Sequence, residues 1–234
     1  MTKHIKSQQG NTLIVVLILL LLVTIIGTLA IRQSLVSLNI ATNGQVQQLL
    51  FENSDTALFK VEDPTQVETQ LAANGMFAYF DSDDNKNDEL VFCYKGENTK
   101  FFNLHQASVI SPDGTLTKNG STGYCKSTWF ATGRSAILSQ VYLNLITTTS
   151  QPLANLTIGT SAGSSNNVPN TTKRIAVTVI SVLPSFSAAS STNIENCFKK
   201  NKDDIGACFS ALNIPYNIQR ADYTVGTSQT LKTS

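Results

Sequence analysis

Charge is scarce in this chain, and histidine scarcer still. Only 14% of the 234 residues are charged, and His4 and His105 are its two imidazoles. No CxxC spacing occurs among its four cysteines. A zinc centre or a Cys–His nucleophile therefore has nothing to assemble from, and neither does a Ser–His–Asp arrangement, because His105 stands alone after the N-terminal stretch. The net charge is +1 with no basic stripe, which excludes a nucleic-acid binder. An enzyme is the least supported class. Proline is missing before Pro64, so nothing breaks a helix in the first quarter of the chain.

What fills that stretch is a long apolar run. Leu13 to Ile31 carries no charge, and Arg32 is the first to follow. As a helix the run rises roughly 28 Å, close to the thickness of a bilayer's hydrocarbon core. Lys3 and Lys6, with His4, precede it. That is the positive-inside bias, which keeps the leader in the cytoplasm and sends the rest of the chain out. A secretory signal peptide has a shorter core and a small-residue cleavage site. Here the run ends in Ile31-Arg32-Gln33-Ser34, with no such site. A plain membrane anchor stays open on the run alone.

The edges of the run carry more. A short basic leader ends in Gln9-Gly10, Asn11-Thr12 follows, and then comes the leucine-rich run. This arrangement resembles a type IV prepilin signal over residues 1 to about 60, and the sequence Gly10-Asn11-Thr12-Leu13-Ile14-Val15-Val16 is similar to the PilX group of minor pilins. The resemblance implies cleavage after Gly10 by a prepilin peptidase, with Asn11 left as an N-methylated first residue. It also implies that Thr12, Leu13, Val15, Leu17, Leu20, Leu22 and Ile26 form an assembly helix. Most pilins carry a glutamate at the fifth mature position, thought to pair with the amino terminus of a neighbouring subunit; here that position is Val15. A buried carboxylate is costly without such a partner, so its absence suits a subunit with no neighbour above it, at the filament tip.

The fold implied is α+β and pilin-like: a leader over 1–10, a long helix over 11–60 with 13–31 transmembrane, and a disulfide-bonded head over 61–234 holding an antiparallel sheet. Leu35, Leu38, Ile40, Val46, Leu49, Leu50, Ala57 and Leu58 recur at helical spacings and predict an apolar stripe facing that head. A break near Asn43-Gly44 is the alternative. Asp63-Pro64 caps a short amphipathic segment through Val67, Leu71 and Ala72 that ends at Asn74-Gly75. Leu90–Tyr94, Phe101–Ile110 and Arg174–Leu183 read as strands. Ala136–Ile146 fits helix or strand. Residues 147–172 read as a long surface loop or loose hairpin, and Asn193–Leu212 as partly helical. The tail after Asp222 adds a weak edge strand.

Cys93, Cys125, Cys197 and Cys208 all lie on the exported side and allow three pairings. Short loops close more readily, which favours Cys93–Cys125 and Cys197–Cys208. In the acidic stretch, Asp81, Asp83, Asn85, Asp88 and Glu89 resemble a calcium loop of extracellular proteins. Lys86 replaces the usual glycine, and Phe92 stands at the twelfth position in place of glutamate. A solvated acidic loop is the better reading, and no cofactor is expected. His105 reads as a strand residue, and Trp129-Phe130 as core.

The function expected is a minor pilin at or near the tip of a type IV pilus. It promotes assembly, with roles in adhesion and twitching. Its implied partners are other minor pilins, a large tip adhesin, the prepilin peptidase and the inner-membrane assembly platform. The chain waits in the inner membrane with its N-terminus cytoplasmic, then joins the pilus at the cell surface. Two alternatives remain: a tip pseudopilin of type II secretion, related to the GspK-like subunits that share the missing glutamate, and a membrane-tethered surface domain that binds a ligand.

Overall fold

One helix, α1, runs from Asn11 to Glu62 in the computed structural model. The structure describes residues 11–66, 69–70, 72, 74–96, 103–112, 116–118, 122–131, 137–146 and 173–225. The chain divides into two compact units, Met1–Val46 and Gln47–Ser234. The helix passes Gly44 without a break, although glycine there costs about 1 kcal/mol relative to alanine. It stops where Pro64 disfavours a helical conformation at Asp63. The Asp63 carboxylate then accepts from the Thr65 backbone N–H at 2.9 Å and from its hydroxyl. What it caps is a single 3-10 turn, Pro64–Gln66; Val67 and Leu71 of the expected helical segment lie outside the described residues.

Apart from buried Val46, the large apolar side chains of the first unit are exposed all round. Leu35, Leu38 and Ile40, expected in a head-facing stripe, are exposed as well, and so is Leu49 further along the helix. The reason lies in their angles. At 100° per residue Leu35, Leu38 and Ile40 spread over most of the helix wheel, whereas Leu50, Ser54, Ala57, Leu58 and Val61 fall within an arc of about 100°. Those five are buried, and they form the face that the second unit covers with its sheet.

That sheet has six strands in the order β3-β2-β1-β4-β5-β6, every neighbouring pair antiparallel. The strands are β1 (Glu89–Tyr94), β2 (Ser108–Ile110), β3 (Leu116–Lys118), β4 (Leu138–Ile146), β5 (Lys173–Val182) and β6 (Tyr216–Val225). Alternate side chains of β1, β4 and β5 serve two different cores, as the pleat requires. Leu90, Phe92, Val141, Leu143, Ile175, Val177 and Val179 join Ala57, Leu58 and Val61 of α1 on one face. Val91, Cys93, Leu138, Tyr142, Ile180 and Val182 face the other way, toward two short helices, α2 (Ser191–Phe198) and α3 (Ile205–Ala211). The sheet is therefore buried on both sides, which is why β5 reads as an almost unbroken apolar run.

Hydrogen bonds between polar side chains cross this sandwich. Ser54 of α1 donates to Ser181 of β5 at 2.8 Å, and Ser181 lies 2.7 Å from Ser139 of β4. All three are fully buried, and they connect helix and sheet through one chain of hydroxyls. On the opposite face, Gln140 accepts from the Cys125 backbone N–H at 2.9 Å and donates to the Phe198 carbonyl at 2.8 Å.

Several expectations change. The strand expected over Phe101–Ile110 is only Ser108–Ile110, because Asn103 accepts from the His105 N–H and winds Leu104–Gln106 into a 3-10 turn. His105 is thus on an exposed turn, not in a strand. Ala136–Ile146 resolves into strand β4, starting at Leu138. The weak tail strand is a ten-residue partner of β5 that begins at Tyr216, before the expected start. Residues 147–172 lie outside the described residues. Gly75 is obligatory where the short segment ends, since a Cβ there would meet the Gln70 carbonyl oxygen at 2.2 Å.

Candidate assembly and interaction sites

The first unit has chemistry of one kind. Leu13, Val15, Leu17, Leu20, Leu22 and Ile26 are all exposed, Leu20 at 62% of its surface, and Thr12 is exposed beside them. The first turn holds no acidic residue. Even its hydroxyls turn inward: Thr24 donates to the Leu21 carbonyl at 2.8 Å and Thr28 to the Ile25 carbonyl at 2.9 Å. With those donors satisfied, the helix presents an uninterrupted apolar cylinder, and among the described residues it is the one helix long and apolar enough to cross a membrane. Such a surface is stable against lipid or against other apolar helices, not against water. Gly10 lies outside the described residues, and α1 begins at Asn11.

The acidic stretch does not converge. Asp83 forms an ion pair with Lys86, and that contact holds its carboxyl below the usual range. Asp88 accepts from the Tyr79 hydroxyl at 2.6 Å, while the Asn85 amide donates to the Tyr79 carbonyl at 3.0 Å. Asp81 ends a 3-10 turn, and Glu89 enters β1 and is buried. Among the described residues no three carboxylate, imidazole or thiol groups gather in a metal-binding cluster. The five oxygen donors thus serve turns and a strand, each in a different direction.

Both disulfides lie on the sheet face opposite α1. Cys93 of β1 pairs with Cys125, and Cys197 of α2 with Cys208 of α3. In the loop-entropy account they stabilise by about 4 and about 3 kcal/mol, for separations of 32 and 11 residues. Gln140 links the two bridged segments through its amide, as described above.

On β1 lies a buried carboxylate, expected to be part of a solvated acidic loop. Glu89 accepts from the Lys202 backbone N–H at 2.8 Å, and the Lys202 ammonium stands 3.9 Å away. Burial outweighs both and pushes its carboxyl up to about 7. The Tyr124 hydroxyl, buried nearby, has no hydrogen-bond partner among the described residues. Glu89 directly follows the acidic run, so only the strand periodicity of Leu90–Tyr94 could have separated it from that loop.

A second cluster was not foreseen. Trp129 and Phe130, expected in the core, lie at the surface: Trp129 is half-buried and Phe130 is 42% exposed. The Lys95 ammonium stands 3.2 Å from the centre of the indole ring, and that of Lys126 stands 4.9 Å away. The available signal was the spacing Cys93-Tyr94-Lys95 and Cys125-Lys126, which brings both lysines together once the disulfide is assumed.

Residues 9–59 match a family model described as PilX N-terminal. The match begins at Gln9, just before the expected cleavage point, and ends in the amphipathic part of α1. No curated protein matches the chain. No solved structure does either.

Proposed function

We propose that this chain, whose residues 9–59 match the PilX N-terminal family model, is a minor pilin of type IV pili that is built into the filament at or near the tip and promotes pilus assembly. The observation that carries this reading is the all-round exposed apolar wall of α1 from Leu13 to Ile31. That wall dissolves in the membrane before assembly and in a bundle of like helices afterwards, so one surface serves both states. The leader through Gly10 is removed by a prepilin peptidase at the cytoplasmic face, and Asn11 becomes the methylated first residue. Val15 supports the tip position: with no carboxylate at the fifth mature residue, the subunit accepts no amino terminus from a neighbour above it. Its head meets other minor pilins and a tip adhesin, and contributes through them to adhesion and twitching.

Two measurements test this reading together. N-terminal sequencing of the mature chain is expected to begin at methylated Asn11, and deletion of the chain to reduce surface pili and twitching sharply. An intact leader would favour a tethered ligand-binding domain. Loss of exported enzymes with pili unchanged would favour a pseudopilin of type II secretion.

A further inference from the structure

The Cys93–Cys125 bridge brings two cations to one ring. Lys95 follows Cys93 by two residues, Lys126 follows Cys125 directly, and both ammonium groups stand over the indole of Trp129. The platform is held firmly. The Trp129 backbone N–H donates to the Lys126 carbonyl at 2.9 Å, and the backbone N–H and hydroxyl of Ser127 both donate to Glu195 of α2 at 3.0 Å. Among the described residues neither ammonium is ion-paired with a carboxylate.

A cation–π contact needs one lysine. The second adds repulsion: partial burial, and then the charge of Lys126, hold the Lys95 ammonium below its usual pKa. An arrangement that strains two like charges against each other is relieved by an anion that bridges them. The next residue along the chain, exposed Phe130, offers an apolar surface. The ligand that matches carries a carboxylate and an aromatic or aliphatic group side by side. A saccharide polyanion fits less well. It would set hydroxyls against Phe130, and Lys95 already occupies a face of the indole on which a sugar would stack.

We propose that Lys95, Lys126 and Phe130, arranged around Trp129, form a docking site for an acidic, aromatic-bearing peptide segment of another protein. The partner's carboxylate bridges the two ammonium groups, and its aromatic side chain packs on Phe130. The site belongs to the head and is independent of how the N-terminal helix is processed, so it stands or falls separately from the assembly reading.

Trp129 is the single tryptophan of the chain, and its emission reports on the site directly. The full chain in detergent micelles is titrated at low salt with an acetylated peptide of sequence EEFEE. A saturable change in emission is expected, reversed by high salt. Lys126→Ala and Lys95→Ala should each weaken binding about tenfold, as loss of a charge-assisted hydrogen bond does. Lys126→Arg should retain it. Phe130→Ala should weaken binding of EEFEE but not of EEEEE. Absence of a saturable change overturns the proposal, as does binding by Lys126→Ala and Lys95→Ala as tight as that of the unaltered chain. Binding of dextran sulfate in place of the peptide also overturns it, because the site would then be one for a saccharide polyanion.

Discussion

Residues 12–45 and residues 47–62 are consecutive stretches of one helix with the same backbone geometry, yet they follow opposite rules. In the first, apolar side chains face every direction and stay exposed; in the second, Leu50, Ala57, Leu58 and Val61 share an arc that the sheet covers, while Leu49, Phe51 and Phe59 face outward. The difference is one of composition and of patterning: Arg32 is the one charged residue of the first stretch, whereas Glu52, Asp55, Lys60 and Glu62 interrupt the second. A uniform wall commits a helix to a surrounding of lipid or other helices, while a stripe commits it to a single partner face. The second stretch has such a face because β4 and β5 present Val141, Leu143, Val177 and Val179 toward it.

Substitutions sharpen this contrast. The largest effect is expected from replacing Cys93 and Cys125 together by serine, which should destabilise the head by about 4 kcal/mol for a 32-residue separation. Urea unfolding followed by Trp129 emission measures it, and membrane partitioning should be unchanged; if partitioning fell too, the two stretches would not be independent. Next comes a matched pair on the helix. Leu50→Ala removes a fully buried side chain and should cost about 3 to 4 kcal/mol, whereas Leu35→Ala should change head stability by no more than about 0.5 kcal/mol. Equal effects in thermal melts would erase the distinction between stripe and wall.

The smallest effect concerns pH and belongs to the head alone. Burial raises Glu89 from 4.5 to about 7, so the neutral carboxyl is the favoured form in the folded chain. With its folded pKa above its unfolded one, its contribution is complete below about pH 4.5 and is lost as the pH rises through about 7. By pH 8 the loss should reach about 3 kcal/mol. Glu89→Gln should flatten that slope. Melting curves across this range with identical slopes in both proteins would show that Glu89 is not the group responsible.

What the sequence disclosed follows the same division. The wall needed only a count of apolar residues, and the helix end needed only Asp63-Pro64. The favoured disulfide pairing followed from loop closure, because the short loops are also the ones the fold encloses. Strand β4 was ambiguous for a physical reason: it is buried on both faces, so Ser139 and Gln140 sit in the core and interrupt any apolar alternation. The start of β6 was hidden because an edge strand mixes Asn217, Gln219 and Arg220 with Ile218. The stripe was overextended to Leu35, Leu38 and Ile40 because spacings of three and four also arise by chance in a leucine-rich segment. The lysine pair over Trp129 was invisible without the bridge that joins Cys93 to Cys125. Glu89 was read as part of a solvated acidic loop because it adjoins four acidic neighbours, whereas it is buried in β1.

The hydroxyl chain from Ser54 to Ser181 to Ser139 has a consequence for orientation. Apolar contacts tolerate sliding, since one methyl group serves nearly as well as the next. Three oxygens joined in a chain do not: moving α1 by one residue would turn it through about 100° and carry the Ser54 hydroxyl away from Ser181. The chain thus acts as a keyway. It fixes the azimuth of the helix on its sheet, and with it the outward bearing of Phe51 and Phe59, whatever later comes to rest against them.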